Sequence, residues 1–422
     1  MLPHHAVGRT EFAELAAGRG GPAAIRALWR GQADKRVMIM GAVARRIGAP
    51  ADVGGTPLSV IRSVARLDPD AVRSVLVQPM VGAWAASALR ALEKDEPADL
   101  THLEAIALVV AQRAHTSAES PVAVRDGWVH LPGRGRIRAD TSKDRIDART
   151  DHGRLWLDGV EITPNSGRWE SPRTLRADGP PNVAATVEDL DPSRDLYHVP
   201  AAERLSPGEF GDWQERFTRG WDVLVNHVRR HADEISEGLQ SIVPLSKPDV
   251  RAARSATHPD AVGVVGLDRP GTAVDLAITL VHEFQHSKLQ ALHDIHPLHR
   301  PSDARYFAPW RTDPRPLGGF LQGTYAFLGV ADTWRALCAD PEAFPHAELN
   351  FTETRTFVTD AVGRLAGAAA LTAAGHDFVA GMTEAIQRLH DVPVRAATVA
   401  TADRTLAGIR SEWRRLNRRQ VG

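Results

Sequence analysis

The chain has 422 residues, 43% hydrophobic and 24% charged, a composition that supplies a core and excludes a disordered, collagenous or disulfide-scaffold protein. Lys plus Arg number 51 against 52 Asp plus Glu, a formal net charge of −1, so no general electrostatic grip on nucleic acid or on an anionic membrane is expected. The single cysteine, Cys338, rules out an intrachain disulfide and a multi-cysteine metal site, and it fits a reducing, cytoplasmic setting.

The first eight residues lack the basic and apolar regions of a secretory signal. The longest apolar stretches, Ala105–Ala111 and Gly367–Ala374, are too short to cross a bilayer. Apolar residues at three- and four-residue spacing predict helices over Thr10–Ala17, Gly21–Arg46, Asp68–Glu93 and Asp99–Arg113. From about Pro121 to Pro192 the pattern changes. Short, partly alternating segments between Gly, Pro, Asp and Asn predict a small antiparallel β region, with strands at Val122–Val124, Gly127–Leu131, Arg154–Leu157 and Val160–Ile162. Glu188–Asp195 is acidic, holds Pro192 and reads as a surface loop. Helix resumes at about Ser206 and dominates to the end. One strand, Ala261–Leu267, interrupts it and leads into a helix from about Thr272; a further helix is expected over Leu317–Ala336. The Arg-rich tail, Arg410–Arg419, reads as a solvated helix face.

The fold class is therefore α+β, predominantly α. Three regions are expected, bounded to within roughly ten residues: a helical N-terminal region (1–118), a β-rich insertion (119–200) and a helical metal-binding catalytic domain (201–422).

The chemistry concentrates in Leu280-Val-His282-Glu283-Phe-Gln-His286. On a helix, residues four apart stand on one face. Two imidazoles in the His-Glu-x-x-His spacing can therefore hold one metal ion, with Glu283 within reach of a metal-bound group. A catalytic site needs a third ligand. His293, Asp294, His296 and His299 follow closely, but Leu292 stands where one large protease group has its third histidine. The next helix offers Gln322 and Tyr325, and beyond it His346, Glu348 and Glu353 follow; no Glu-x-x-x-Asp pattern falls on that helix. Gln322 is the candidate carried forward, beside Gly323 in Leu-Gln-Gly-Thr-Tyr. A second segment, Arg305 to Gly319, sets Arg311 and Arg315 among prolines and aromatics. Arginine forks bind carboxylates in bidentate fashion; a surface pair with Asp313 is the alternative.

Leu280–Leu292 together with Tyr306–Trp334 resembles a bacterial family, the HExxH-motif peptide-modifying proteins of gene clusters for ribosomally made, post-translationally modified peptides. The likeness extends more loosely to the N-terminal helices. It implies an Fe(II)- and 2-oxoglutarate-dependent hydroxylase that acts at a β-carbon of a residue in a precursor peptide. His282 and His286 would then be iron ligands; the resemblance does not name the third, and a weak neutral ligand such as Gln322 is compatible with that chemistry. Arg311 or Arg315, or else Lys288, would meet the distal carboxylate of the keto acid, and the N-terminal region would offer a place for the leader of the peptide. Glu283 would hydrogen bond to a metal-bound group or substrate amide, or ligate the iron itself. The same two histidines take zinc equally well, so the competing expectation is a zinc metallopeptidase with Glu283 as general base. A non-catalytic peptide scaffold with a structural metal is the third. Extended substrate would pair with an edge strand; Ala261–Leu267 is either that strand or a core strand that meets no substrate.

Overall fold

The computed structural model describes residues 7–48, 56–195, 200–246 and 255–417. The protein is α+β and predominantly helical. Helices α1 (Arg9–Ala16), α2 (Gly21–Arg46), α3 (Pro57–Leu67), α4 (Pro69–Leu76), α5 (Pro79–Glu93) and α6 (His102–Arg113) come first. The expected helix over Asp68–Glu93 is two helices. Asp68 caps the first by accepting from the Ala71 N–H at 2.9 Å, and Gln78 breaks the path in an extended conformation (φ −64°, ψ 136°). Pro79 causes the break: it brings no N–H to the helix, and its ring drives the preceding residue out of the α region. Among the described residues no single helix is long and apolar enough to cross a membrane. Only the pair α4–α5, bent by 77°, has that length and composition, and much of its apolar surface is core.

Nine strands follow: β1 (Ala118–Ala123), β2 (Trp128–Leu131), β3 (Gly135–Arg138), β4 (Arg145–Asp151), β5 (Arg154–Leu157), β6 (Val160–Ile162), β7 (Trp169–Glu170), β8 (Arg173–Ala177) and β9 (Val183–Val187). Two of the turns are two-residue hairpins, His152-Gly153 between β4 and β5 and Asp158-Gly159 between β5 and β6, with all four residues at positive φ. That is the backbone whose twist matches the flanking strands. The antiparallel sheets β1-β4-β5-β6 and β2-β3-β7 share one core with the second half of α2 and with α3 to α6.

The rest comprises α7 (Pro207–His227), α8 (Arg229–Gly238), β10 (Ser241–Pro244), β11 (Ser255–Ala256), β12 (Val264–Leu267), α9 (Ala273–Ile295), β13 (Arg305–Tyr306), β14 (Arg315–Pro316), α10 (Leu317–Leu337), α11 (Ala347–Ala366), α12 (Ala373–His390) and α13 (Ala396–Leu416). A mixed sheet runs β11-β12-β10-β9-β8. Strands β9, β10 and β12 are parallel, and antiparallel β11 and β8 form its edges. Of the two readings of Ala261–Leu267 the core strand holds: β12 lies second in the sheet, and its four residues are buried.

Two expected regions exchange parts with their neighbours. β8 and β9, within 119–200, complete the C-terminal sheet. α1 and the first half of α2, within 1–118, pack into the core of α9 to α12. Glu188–Asp195 is not a solvated loop. Asp189 is fully buried and accepts from Arg173, Arg204 and the Leu205 N–H, because its charge is compensated on three sides. The tail helix α13 is amphipathic at its end, with Arg410 paired to Asp360; Arg418 and Arg419 lie outside the described residues.

Helix α9 starts at a reciprocal cap. The Thr272 hydroxyl accepts from the Asp275 N–H, and the Asp275 carboxylate accepts from the Thr272 N–H. It is wedged against α7 and α10. Close approach to α10 depends on Gly329, where an added Cβ would lie 2.6 Å from Gln285 Nε2. That amide donates to the Gly18 carbonyl at 3.1 Å. Gly329→Ala is expected to break this bond and to destabilise the protein by about 1–3 kcal/mol, less the up to about 1 kcal/mol that Ala gains over Gly in a helix interior. A melting temperature equal to or above that of the parent would show that the two helices have room to spare.

Candidate metal centre

His282 and His286 leave one face of α9, as their four-residue spacing requires. Their Nε2 atoms are 3.2 Å apart. Metal–nitrogen bonds of about 2.0–2.1 Å meeting at about 100° put two nitrogens about that far apart. His286 Nδ1 is 3.0 Å from the Gln322 side-chain oxygen. A carboxamide oxygen only accepts, so Nδ1 carries a proton, and Nε2 is the ring nitrogen that faces His282. His282 lies edge-on to Phe327, centroids 4.9 Å apart, and Phe327 stacks on Trp310 at 4.6 Å. Burial, and secondarily the neighbouring His286, pushes His282 down to about 3. It is therefore neutral across the ordinary pH range, the state in which imidazole binds a metal without first losing a proton.

Glu283 points to the strand side and is 2% exposed. Its two oxygens accept from the Ser255 hydroxyl at 2.7 Å and the Thr257 hydroxyl at 2.5 Å. Ser255 and Thr257 are two apart along β11 and its continuation, so their side chains share one face of the extended chain. This Ser-x-Thr alternation was readable in the sequence, but nothing there tied it to Glu283. A cavity of about 340 Å³ opens over the centre, lined among others by Ser255, Thr257, His282, Glu283, His286 and Gln322.

The predicted residues divide. His282, Glu283, His286 and Gln322 come together around this cavity. Gln322 meets the ring nitrogen of His286 remote from His282, the position of a residue that orients a ligand and fixes its tautomer. Arg311 and Arg315 are elsewhere: both pair with Asp313, at 2.9 and 3.0 Å, and neither lines the cavity. The hairpin β13–β14 that closes their segment serves the centre through Trp310, which backs Phe327. Lys288 is fully buried on another face of α9, 2.6 Å from Glu234, so it faces no cavity ligand.

Most of the other third-ligand candidates are engaged away from the centre. His293 stacks on His299, Asp294 takes Lys35 and Gln32, and His296 packs on Phe12. Tyr325 donates to the Leu15 carbonyl, and Glu348 and Glu353 bind residues of α13 or its cap. Among the described residues no three of His, Cys, Asp and Glu form a metal-holding group. The donor set that does fit a metal is the pair of imidazoles, which supplies two ligands and leaves positions for others.

If Gln322 orients His286, Gln322→Leu should weaken metal binding about 10–100-fold while one metal per chain still binds at saturation. Loss of all binding in a competition titration would make Gln322 a ligand instead. No family model matches the chain, and no curated protein matches it.

Proposed function

We propose that the protein is a metal-dependent peptide-modifying oxygenase centred on His282 and His286, with an Fe(II)- and 2-oxoglutarate-dependent hydroxylation of a precursor peptide as its reaction. The observation that carries the metal reading is the 3.2 Å separation of two imidazole nitrogens facing one cavity. A ferrous ion held there supplies the oxygen-activating chemistry, and a two-histidine donor set leaves the open positions such chemistry requires. The choice of iron and of the keto acid rests on the resemblance of Leu280–Leu292 and Tyr306–Trp334.

The chain's own residues support a division of labour. His282 and His286 bind, and Gln322 holds the His286 ring in one tautomer. Phe327 and Trp310 shield the back of His282 from water. The Ser255 and Thr257 hydroxyls donate into the pocket toward Glu283, and Ser287, Gln290 and Gln322 add neutral polar groups to the lining. The keto acid's distal carboxylate would meet such neutral donors, since among the described residues no Arg or Lys lines the cavity. The outer edge of β11 beside the cavity suits an extended peptide, which would add a strand to the mixed sheet.

The zinc peptidase reading shares the zincin-like pairing of metal helix and edge strand. It requires Glu283 to take a proton from water, and both its oxygens already accept hydroxyl protons. Incubation of the iron-loaded protein with 2-oxoglutarate, oxygen and a precursor peptide encoded beside it should add one oxygen atom to an intact peptide, read by mass spectrometry. Cleavage of the peptide by zinc-loaded protein, abolished in Glu283→Gln, would overturn the oxygenase reading.

A further inference from the structure

A second cavity, of about 240 Å³, lies between the α1–α2 loop and helices α8, α10 and α12. Four arginines line it from four separate elements: Arg19 before α2, Arg230 on α8, Arg335 on α10 and Arg388 on α12. One acid, Asp332, faces them. Its carboxylate is taken up by Arg230 and by Arg335 at 3.1 Å, and His231 Nε2 stands 3.4 Å away. Four positive charges against one negative leave the pocket with a surplus of three.

Acids outside the lining offset the surplus only in part: Glu384 pairs with Arg388 at the limit of ion-pair distance, and Glu14 acts on Arg19 without pairing with it. Among the described residues the Arg19 guanidinium has no ion-pair or hydrogen-bond partner, and Arg388 reaches only Glu384, at 4.0 Å. Arg230 Nε is buried and has no hydrogen-bond partner. Burial, then the charges of Arg230 and Arg388, hold Arg19 below its ordinary value. Four like charges are brought together at an electrostatic cost that a bound anion would relieve. The remaining wall is apolar: Ala17, Leu328, Ala385, Leu389 and Val392.

We propose that this pocket binds a small molecule bearing a doubly charged oxyanion, with a short carbon body against the apolar wall. Guanidinium forks match the oxygens of phosphate and carboxylate alike, so both a phosphate ester and a dicarboxylate carry the required chemistry. Arg19 and Arg388, the two without a strong partner, make the principal contacts, and Arg230 adds its Nε. The site is separate from the two-histidine centre, and α10 contributes to both. Gly18 lines the pocket, and its carbonyl accepts from Gln285 and Lys288, which flank His286 on α9.

The test is calorimetric titration of the metal-free full-length protein with inorganic phosphate and, separately, with succinate, at low ionic strength. Saturable binding of either is expected. Phosphate alone would point to a phosphate ester as the ligand, and succinate alone to a dicarboxylate. Arg19→Gln and Arg388→Gln should each weaken binding about tenfold, the result of losing one charge-assisted hydrogen bond. His282→Ala should leave it unchanged, so failure of the metal reading and failure of this one are told apart. Arg388 is exposed on its helix, which makes its replacement safe for folding. The proposal is overturned if neither anion binds saturably, or if binding survives both arginine substitutions undiminished.

Discussion

His282→Ala is expected to lower metal affinity by more than about 100-fold, beyond the cost of losing an orienting partner alone. A one-to-one metal content should fall to background, and the visible absorption that Fe(II) and 2-oxoglutarate give together under anaerobic conditions should vanish with it. The reasoning is local. Among the described residues two imidazoles are the whole protein donor set with the required geometry, so removing one leaves a single nitrogen. The ring makes edge contacts with Phe327 and His286 and carries no charge, so the fold should survive, and the melting temperature of the metal-free protein should change little. Retention of one tightly held metal in the purified variant would place the centre elsewhere. Tightly bound zinc in the parent, with no band on adding iron and keto acid, would instead sink the oxygenase chemistry while keeping the site.

The second large effect is on stability. Lys288 and Glu234 form a fully buried ion pair at 2.6 Å, and Glu234 also accepts from the Gly21 N–H at 3.0 Å. Burial lowers the Lys288 ammonium below its ordinary value, and Glu234 opposes this. Burial would raise the Glu234 carboxyl, but Lys288 and His231 hold it below its ordinary value. Lys288→Met strands a carboxylate in the core and should cost about 3–5 kcal/mol. Adding Glu234→Gln removes the stranded charge while keeping an oxygen for Gly21, and should restore most of the loss. Thermal unfolding of the two variants and the parent measures both steps. A double variant no more stable than the single one would mean that the pair does not act as a unit.

The sequence was most legible where one short signal decides a structure. Gly21–Arg46, Arg154–Leu157 and Val160–Ile162 are helix or strand as the pattern predicts. The two strands are flanked by turns in which Gly153 and Gly159 sit at positive φ, and β10 to β12 show where such signals thin out. A fully buried strand has no alternation, so Ser241–Pro244 carried no mark, and Ala261–Leu267 could be read as a strand without revealing its place in the sheet. The break at Gln78-Pro79 was written in the chain but outweighed by the apolar spacing on either side of it. In the site, His282 and His286 were legible because helical spacing alone brings them together. The partners of Glu283 were not, since Ser255 and Thr257 reach it across 28 and 26 residues through a sheet edge. The arginines misled because charge alone does not say which acid a side chain will find, and Asp313 is two residues from both.

The 26 residues of α2 form a rod of about 39 Å at the usual helical rise. Its first half, with Ala24, Ile25 and Leu28, is packed among the C-terminal elements; its second half, with Met40 and Val43, belongs to the core of the N-terminal helices and β sheets. The half that carries His282 and His286 is therefore not a module that can be excised at a linker. A fragment beginning at residue 201 would lack α1, α2 and strands β8 and β9, and would expose the apolar surfaces they cover. Gene fusions, truncations and any evolutionary shuffling of this C-terminal half must carry α1 and α2 with them, as though those helices had been borrowed from the other end.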